Sequence, residues 1–125
     1  MRIFTRLFCT LALLVCLASI SFAGPEFPSD FPAAFPMYKG CEVVQTMNFP
    51  DNQTVMLSCG KAVPDEVAEF YKNSASADKW TTLMENKMQG FTLLMFEKDP
   101  QGMQVQVIED NGVTQLALSY MQKSQ

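Results

Sequence analysis

Two cysteines that flank an alternating segment constrain the fold of this chain more than any other feature. Between Cys41 and Cys59, apolar and polar residues alternate on both sides of a proline-containing turn, which is typical of a β-hairpin. If the hairpin is centred on Pro50, Val43 lies opposite Leu57 and Cys41 lies opposite Cys59 on the same face. The register that pairs the apolar residues also pairs the cysteines, so the sequence predicts a hairpin closed by a disulfide.

A redox centre and a metal site are the alternatives for this pair. Redox pairs usually lie close together as Cys-x-x-Cys, and two isolated thiols make a weak zinc site in a chain without histidine. The other cysteines, Cys9 and Cys16, lie in an apolar N-terminal segment. We therefore predict one disulfide, which favours an oxidising compartment.

The N-terminal residues have the form of a secretory signal peptide. Arg2 and Arg6 precede an apolar run at 7–20, and Ser21-Phe22-Ala23 forms a small-x-small cleavage site before Gly24. The run is shorter than the roughly 20 residues that span a bilayer, and no later segment is long and apolar enough to do so. The sequence predicts a signal peptide and no transmembrane segment after its cleavage.

Lipid anchoring at Cys16 is the alternative interpretation of this segment. Lipoprotein signals usually carry a small residue directly before the cysteine, whereas this chain has Val15. We therefore expect cleavage after Ala23 and a periplasmic or secreted protein.

Composition argues against several classes of function. Cleavage would remove both arginines and leave seven lysines against thirteen acidic residues, so nucleic acid is not an expected partner. Without histidine, the chain lacks a general base for neutral pH and an imidazole metal ligand. Three carboxylate pairs could support glycosidase-like chemistry, but they lie at a helix start or beside turns: Asp65-Glu66, Glu97-Asp99 and Glu109-Asp110. We expect no enzyme, cofactor or metal site.

The segment 24–39 is a leader rich in phenylalanine and proline. Phe27, Phe31 and Phe35 recur every fourth residue, and each precedes a proline, which favours an extended chain rather than a helix. Two roles are open: the leader lays its phenylalanines on the surface of the domain, or it is a docking tail for a partner.

One helix and four further strands follow the hairpin. Pro64-Asp65-Glu66 is a helix start, and an apolar stripe continues the helix to about Ala77; the stripe comprises Val67, Phe70, Tyr71 and Ser74. Strand-like runs lie at 80–85, 91–98, 103–109 and 113–121. When each turn between the last three strands is taken as the centre of a hairpin, the predicted register follows. It places Phe96 opposite Val105, Leu94 opposite Val107, Val105 opposite Leu118 and Val107 opposite Leu116.

The predicted architecture is α+β in the order ββαββββ, with a single helix on one face of an antiparallel sheet. The signal peptide would occupy 1–23, the leader 24–39 and the single domain 40–125. Phe91, Leu93 and Met95 are then left on the face that the helix does not cover. The leader, a second copy of the chain or an apolar ligand could shield that face.

Three short motifs carry a family resemblance. Pro36-Met37-Tyr38-Lys39-Gly40 precedes the first strand, Pro64 to Tyr71 reads P-x-x-V-x-x-F-Y, and Trp80 opens the next strand. In these motifs the chain resembles a group of small exported bacterial proteins, most of uncharacterised function. It is also similar to helix-on-sheet modules of envelope assembly lipoproteins, a resemblance that implies binding to other proteins.

We therefore expect a non-enzymatic periplasmic or secreted domain that acts through protein contacts, with another envelope protein or a second copy as partner. The candidate contact surface comprises Phe27, Phe31, Phe35, Phe91, Leu93 and Met95. The alternative is a binding protein for a small apolar ligand or a soft metal such as Cu(I), because eight methionines would remain after cleavage. Their spread along the strands is, however, typical of core residues.

Replacing Cys41 by alanine tests the predicted bridge. Cys41→Ala is expected to lower the free energy of unfolding by about 3 kcal/mol, because the unbridged unfolded chain gains conformational entropy. Urea unfolding with and without a reductant measures this loss. The reductant should destabilise the wild type by a similar amount and leave the variant unchanged, whereas an unchanged midpoint in Cys41→Ala would argue against the bridge.

Overall fold

A computed structural model describes residues 25–122 and shows six strands and one helix in the predicted order ββαββββ. The predicted signal peptide lies outside the described residues. The elements are β1 (Glu42–Phe49), β2 (Asn52–Ser58), α1 (Pro64–Ala77), β3 (Thr81–Met88), β4 (Phe91–Lys98), β5 (Gln101–Asp110) and β6 (Val113–Gln122). Helix α1 packs on one face of an antiparallel sheet, which confirms the predicted α+β class.

The six strands form one sheet in the order β1-β2-β6-β5-β4-β3, and each strand is antiparallel to its neighbours. The first hairpin joins the later meander where β2 pairs with β6, for example through Leu57 and Leu116. The last strand in the chain therefore lies near the middle of the sheet, and the edges are β1 and β3.

The first hairpin has the predicted register at its open end. Val43 lies opposite Leu57, and Cys41 forms a disulfide with Cys59 across 18 residues of sequence. A bulge at Val44 then shifts the pairing by one residue, so that Thr46 rather than Gln45 lies opposite Val55. Val43, Val55 and Leu57 face the core on this strand pair, whereas the side chain of Val44 at the bulge is 58% exposed.

The later strands confirm one predicted register and correct another. The predicted pairs between β5 and β6 are present, but those between β4 and β5 are displaced by two residues. Leu94 lies opposite Val105, and Phe96 lies opposite Met103. The connecting turn has two residues instead of the predicted four, so Gln101 already belongs to β5. A shift of two residues preserves the face of each side chain, because side chains alternate with a period of two.

Helix α1 has the predicted bounds, but it is rotated relative to the predicted stripe. Its buried residues are Val67, Ala68, Tyr71 and Ala75. Phe70, predicted to lie in the core, remains 37% exposed and packs edge to face on Tyr38, with ring centroids 5.2 Å apart. Ser74 Oγ donates a hydrogen bond of 2.6 Å to the carbonyl of Ala34. Phe70 and Ser74 therefore contact the leader.

The leader contributes a central residue of the core. Phe35 is fully buried and touches three aromatic rings, with centroid distances of 6.3 Å to Tyr71, 4.9 Å to Trp80 and 5.5 Å to Phe96. Tyr71 lies on α1, Trp80 precedes β3 and Phe96 lies on β4. Phe35 thus joins the helix to the sheet.

The leader packs against the domain, and two of its three phenylalanines are buried in the core. Phe31 is 8% exposed and packs against Tyr120 at 5.8 Å, while Phe27 is half-buried against Phe31 at 5.4 Å. The physical reason is that α1 packs mainly on β3, β4 and β5, so the rest of this face needs a second apolar layer. The leader belongs to the domain and lies on the same face as the helix.

Hydrogen bonds from α1 hold the leader in this position. Tyr71 Oη donates to the carbonyl of Pro36 at 2.7 Å, one helical turn before the bond from Ser74. Burial raises the pKa of the Tyr71 phenol well above its ordinary value, so the group stays protonated and donates. These bonds satisfy carbonyls of a segment that forms no strand, which would otherwise be costly to bury.

Removing the Phe35 ring tests the role of the leader in the core. Phe35→Ala is expected to lower the free energy of unfolding by about 3–5 kcal/mol, because it leaves a cavity among three aromatic rings. Chemical denaturation measures the loss, and Phe27→Ala, at a half-buried position, is the matched control with a clearly smaller effect. Equal losses in the two variants would contradict the assignment of Phe35 to the core.

Candidate functional site

The face of the sheet opposite α1 and the leader, called the open face below, carries apolar side chains that the described chain does not cover. Strand β4 shows the contrast most clearly, because its residues alternate between buried and partly exposed. Leu94 and Phe96 are buried on the helix side, whereas Phe91, Leu93 and Met95 point to the open face and remain partly exposed. The predicted second face with surplus apolar residues is therefore present.

Apolar residues occupy both sides of the open face, and polar residues occupy its middle. The β3–β4 patch contains Met84, Met88, Phe91, Leu93, Met95 and Ile108. The β2 patch contains Met47, Met56, Ala117 and Met121. Between them, on β6 and β5, lie Gln104, Gln106, Gln115 and Ser119.

Cross-strand register shows how these groups follow one another. One row runs from Met56 through Ala117 and Gln106 to Leu93. The next row runs through Thr54, Ser119, Gln104, Met95 and Met84. The hydroxyl groups of Thr54 and Ser119 are 3.1 Å apart and share a hydrogen bond.

Lysines of α1, β3 and β4 form ion pairs on the helical side of the sheet. The open face is almost uncharged. Lys87 on β3 pairs with Asp65 on α1 at 2.9 Å, and Lys98 on β4 pairs with Asp78 at 3.5 Å. Lys72 on α1 pairs with Glu85 on β3 at 2.9 Å, and this hydrogen bond raises the lysine pKa. Within residues 25–122, the register places charge on the open face only at its ends, and that charge is acidic: Glu42, Glu97 and Asp110.

Both edges of the sheet are irregular. The pairing of β1 shifts at Val44 and that of β3 shifts at Leu83, and these two side chains are 58% and 55% exposed. Bulges in edge strands hinder pairing with a further strand. The open face is therefore better suited than either edge to contact another molecule.

Clefts of the described domain lie at the margins of the sheet, and the one beside α1 includes Met88 and Phe91 of the β3–β4 patch. One of about 130 Å³ is lined by polar groups that include Asp30, Asp51 and Gln53. Another of about 250 Å³ lies beside the start of α1 and is lined by Asp65 and Lys87 among others. Among the described residues, no group of three or more histidine, cysteine, aspartate or glutamate side chains could hold a metal ion.

The predicted contact residues do not form one surface. Phe91, Leu93 and Met95 share the open face, whereas Phe27, Phe31 and Phe35 lie on the helical side. Four further residues of the open face were not among the predicted contact residues: Met84, Met88, Met56 and Ile108. The alternation in each strand contained that signal, but the strand order was needed to bring the four residues onto one surface.

Comparison with known proteins gives one family. A family model described as START domain-like matches residues 41–115, which is more than half of the chain. The matched region runs from the disulfide-linked hairpin to the first residues of β6 and does not include the leader. No curated protein matches the chain. In the range 25–122, no helix has the length and apolar character needed to cross a membrane.

Adjacent leucines on β4 test the assignment of the two faces. Leu94→Ser is expected to lower the free energy of unfolding by about 2–5 kcal/mol, because it removes a fully buried side chain from the core. Leu93→Ser should cost much less in dilute solution, because its side chain is already partly exposed. Thermal and urea unfolding compare the two variants, and similar losses would contradict an open second face.

Proposed function

We propose that this chain, which belongs to the START domain-like family, is a non-enzymatic, periplasmic or secreted domain that binds another protein chain through its open face. The composition of the open face carries the proposal. Its side chains are methionine, leucine, isoleucine, phenylalanine and uncharged polar residues, with acidic groups only at the ends.

This composition is that of an interface rather than of a water-facing sheet. The cores of protein interfaces are depleted in lysine, glutamate and aspartate and enriched in methionine and aromatic residues. Large exposed apolar patches are uncommon on monomeric proteins and mark interaction sites or binding grooves. The lysines of β3 and β4 form ion pairs on the opposite side of the sheet, so the contrast between the two faces is pronounced.

Contact with a protein is favoured over an internal ligand site. Phe35 occupies the space between α1 and β4 with less than one per cent of its surface exposed. Domains of the START-like kind are typically binding domains, and the open face offers this chain an exposed apolar surface for binding. The resemblance to envelope assembly modules, which bind other proteins, supports the same role.

Two observations support export to an oxidising compartment. The disulfide between Cys41 and Cys59 closes the first hairpin, and such bonds persist mainly outside the reducing cytosol. The N-terminal sequence has the three parts of a secretory signal. Together they favour a periplasmic or secreted location for the mature domain.

A soft-metal site is the second candidate. Met84 lies directly opposite Met95 on the open face, so the register makes two thioethers, which are soft ligands of the kind that Cu(I) prefers, neighbours across the strand pair. Met88 is four residues further along β3, or about 13 Å by the rise of a strand, so it does not complete a third ligand at the same point. The larger apolar surface therefore favours protein contact as the main role.

Site-specific photo-crosslinking in the exporting cell tests the proposal. A benzophenone side chain in place of Leu93 is expected to form an adduct with a single protein, which mass spectrometry identifies. The same side chain in place of Val63, an exposed apolar residue next to α1, is the matched control and should give no such adduct. Adding Met95→Lys to the Leu93 probe should abolish the adduct while the melting temperature stays nearly constant. Equal adducts from both positions, or none from Leu93, would overturn the proposal.

A further inference from the structure

We infer that the partner of the open face is a second copy of this chain, so that two open faces pack against each other around a two-fold axis. The inference rests on the proposed function, because it assigns an occupant to the same surface. The size, symmetry, chemistry and charge of the open face support it.

The area of the open face matches what a stable dimer needs. Six strands spaced about 4.8 Å apart, each about eight residues long, give a face of roughly 29 Å by 27 Å. This is close to the roughly 800 Å² per partner that specific protein interfaces bury. Face-to-face packing of two such sheets is an established architecture with a separation of about 10 Å.

Apolar groups lie on both sides of a polar middle, although the β1–β2 side also presents Gln45, Thr54 and Ser58. The polar middle lies on β6 and β5, the third and fourth of six strands, and an apolar patch lies on each side. A two-fold axis through the middle and parallel to the strands places the β3–β4 patch of one copy on the β2 patch of the other. An axis across the strands places each patch on its own counterpart. With the first axis Met56 of one copy meets Leu93 of the other, and with the second axis Leu93 meets Met95, whereas Thr54 meets an apolar residue in either arrangement.

The polar groups in the middle can pair with copies of themselves. The amides of Gln104 and Gln106 each carry donors and an acceptor, and the hydroxyl of Ser119 both donates and accepts. Such groups can satisfy each other across a two-fold axis, whereas a lysine or glutamate there would face a like charge. A strongly charged partner, in contrast, would find no complementary charge in the middle of the face.

Charge elsewhere on the chain directs self-association to this face. Seven lysines against thirteen acidic residues make the chain after residue 23 acidic, so most of its surface repels a second copy. The middle of the open face lacks this repulsion, and the bulges at Val44 and Leu83 disfavour pairing through the edges. Within the described residues the register places no lysine on the open face, so an anionic lipid surface would not attract it.

Analytical ultracentrifugation of the protein, expressed with its own N-terminal segment and purified after export, tests the inference. The wild type is expected to be a concentration-dependent dimer. Gln104→Glu/Gln106→Glu and Gln104→Lys/Gln106→Lys should each raise the dimer dissociation constant by about 100-fold or more, because like charges then meet near the axis. An equimolar mixture of the two variants should recover dimers, since opposite charges then meet.

Matched controls separate this outcome from a loss of folding. Val63→Lys changes an apolar residue of 50% exposure off the open face and should leave the dimer unchanged. Circular dichroism melting should show that both glutamine variants remain folded. A dimer that both charge variants preserve, or that only Val63→Lys disrupts, would overturn the inference.

The proposed function and this inference fail in different ways. A monomeric wild type whose Leu93 probe captures one other protein in the cell would overturn self-association and keep the contact function. A monomeric wild type whose probe captures a segment of its own chain would show that residues outside 25–122 cover the face, and would overturn both. Dimers that form in the mixture of the two charge variants, together with an adduct between two copies of the chain from the Leu93 probe, would support both the proposed function and this inference.

Discussion

The packing of Phe35 between helix and sheet is the interaction on which the rest of the structure depends. One helix of 14 residues packs mainly on three of the six strands, so a single helical layer would leave much of the sheet face exposed to water. Phe35 and Phe31 extend that layer, and the hydrogen bonds from Tyr71 and Ser74 hold their backbone against the helix. A short proline-rich segment thus takes the place that a second helix would occupy in a larger domain.

The asymmetry of the sheet follows from this arrangement. Helix, leader and the lysine ion pairs all lie on one side, because the acidic partners Asp65 and Asp78 belong to α1 and the residue that follows it. Residues 25–122 therefore form no covering layer on the opposite face, which carries charge only at its ends. Its methionines are flexible and polarizable, which suits a surface that packs against another protein. The fold itself accounts for an exposed apolar face.

The connection between β2 and α1 shows how the hairpin is joined to the meander. The backbone N–H of Cys59 donates to the carbonyl of Thr114 at 2.8 Å, and the N–H of Thr114 donates to the carbonyl of Gly60 at 2.8 Å. The buried hydroxyl of Thr114 donates to the carbonyl of Ala62 at 2.6 Å. One threonine of β6 therefore holds the end of the hairpin beside the disulfide. The START domain-like match begins at Cys41 and ends just beyond this threonine.

The sequence by itself determined the helix bounds, most strand positions, and the pairing of Val43 with Leu57 and of Cys41 with Cys59. These depend on periodicity and turn residues over short separations, where few arrangements compete. Only the tertiary structure decided that β6 lies between β2 and β5, that Phe35 belongs to the core, and that Met56 and Met95 share one open face. Those outcomes depend on how complete layers bury their apolar area. Each layer is built from segments that lie far apart in the chain, so no single segment determines the result.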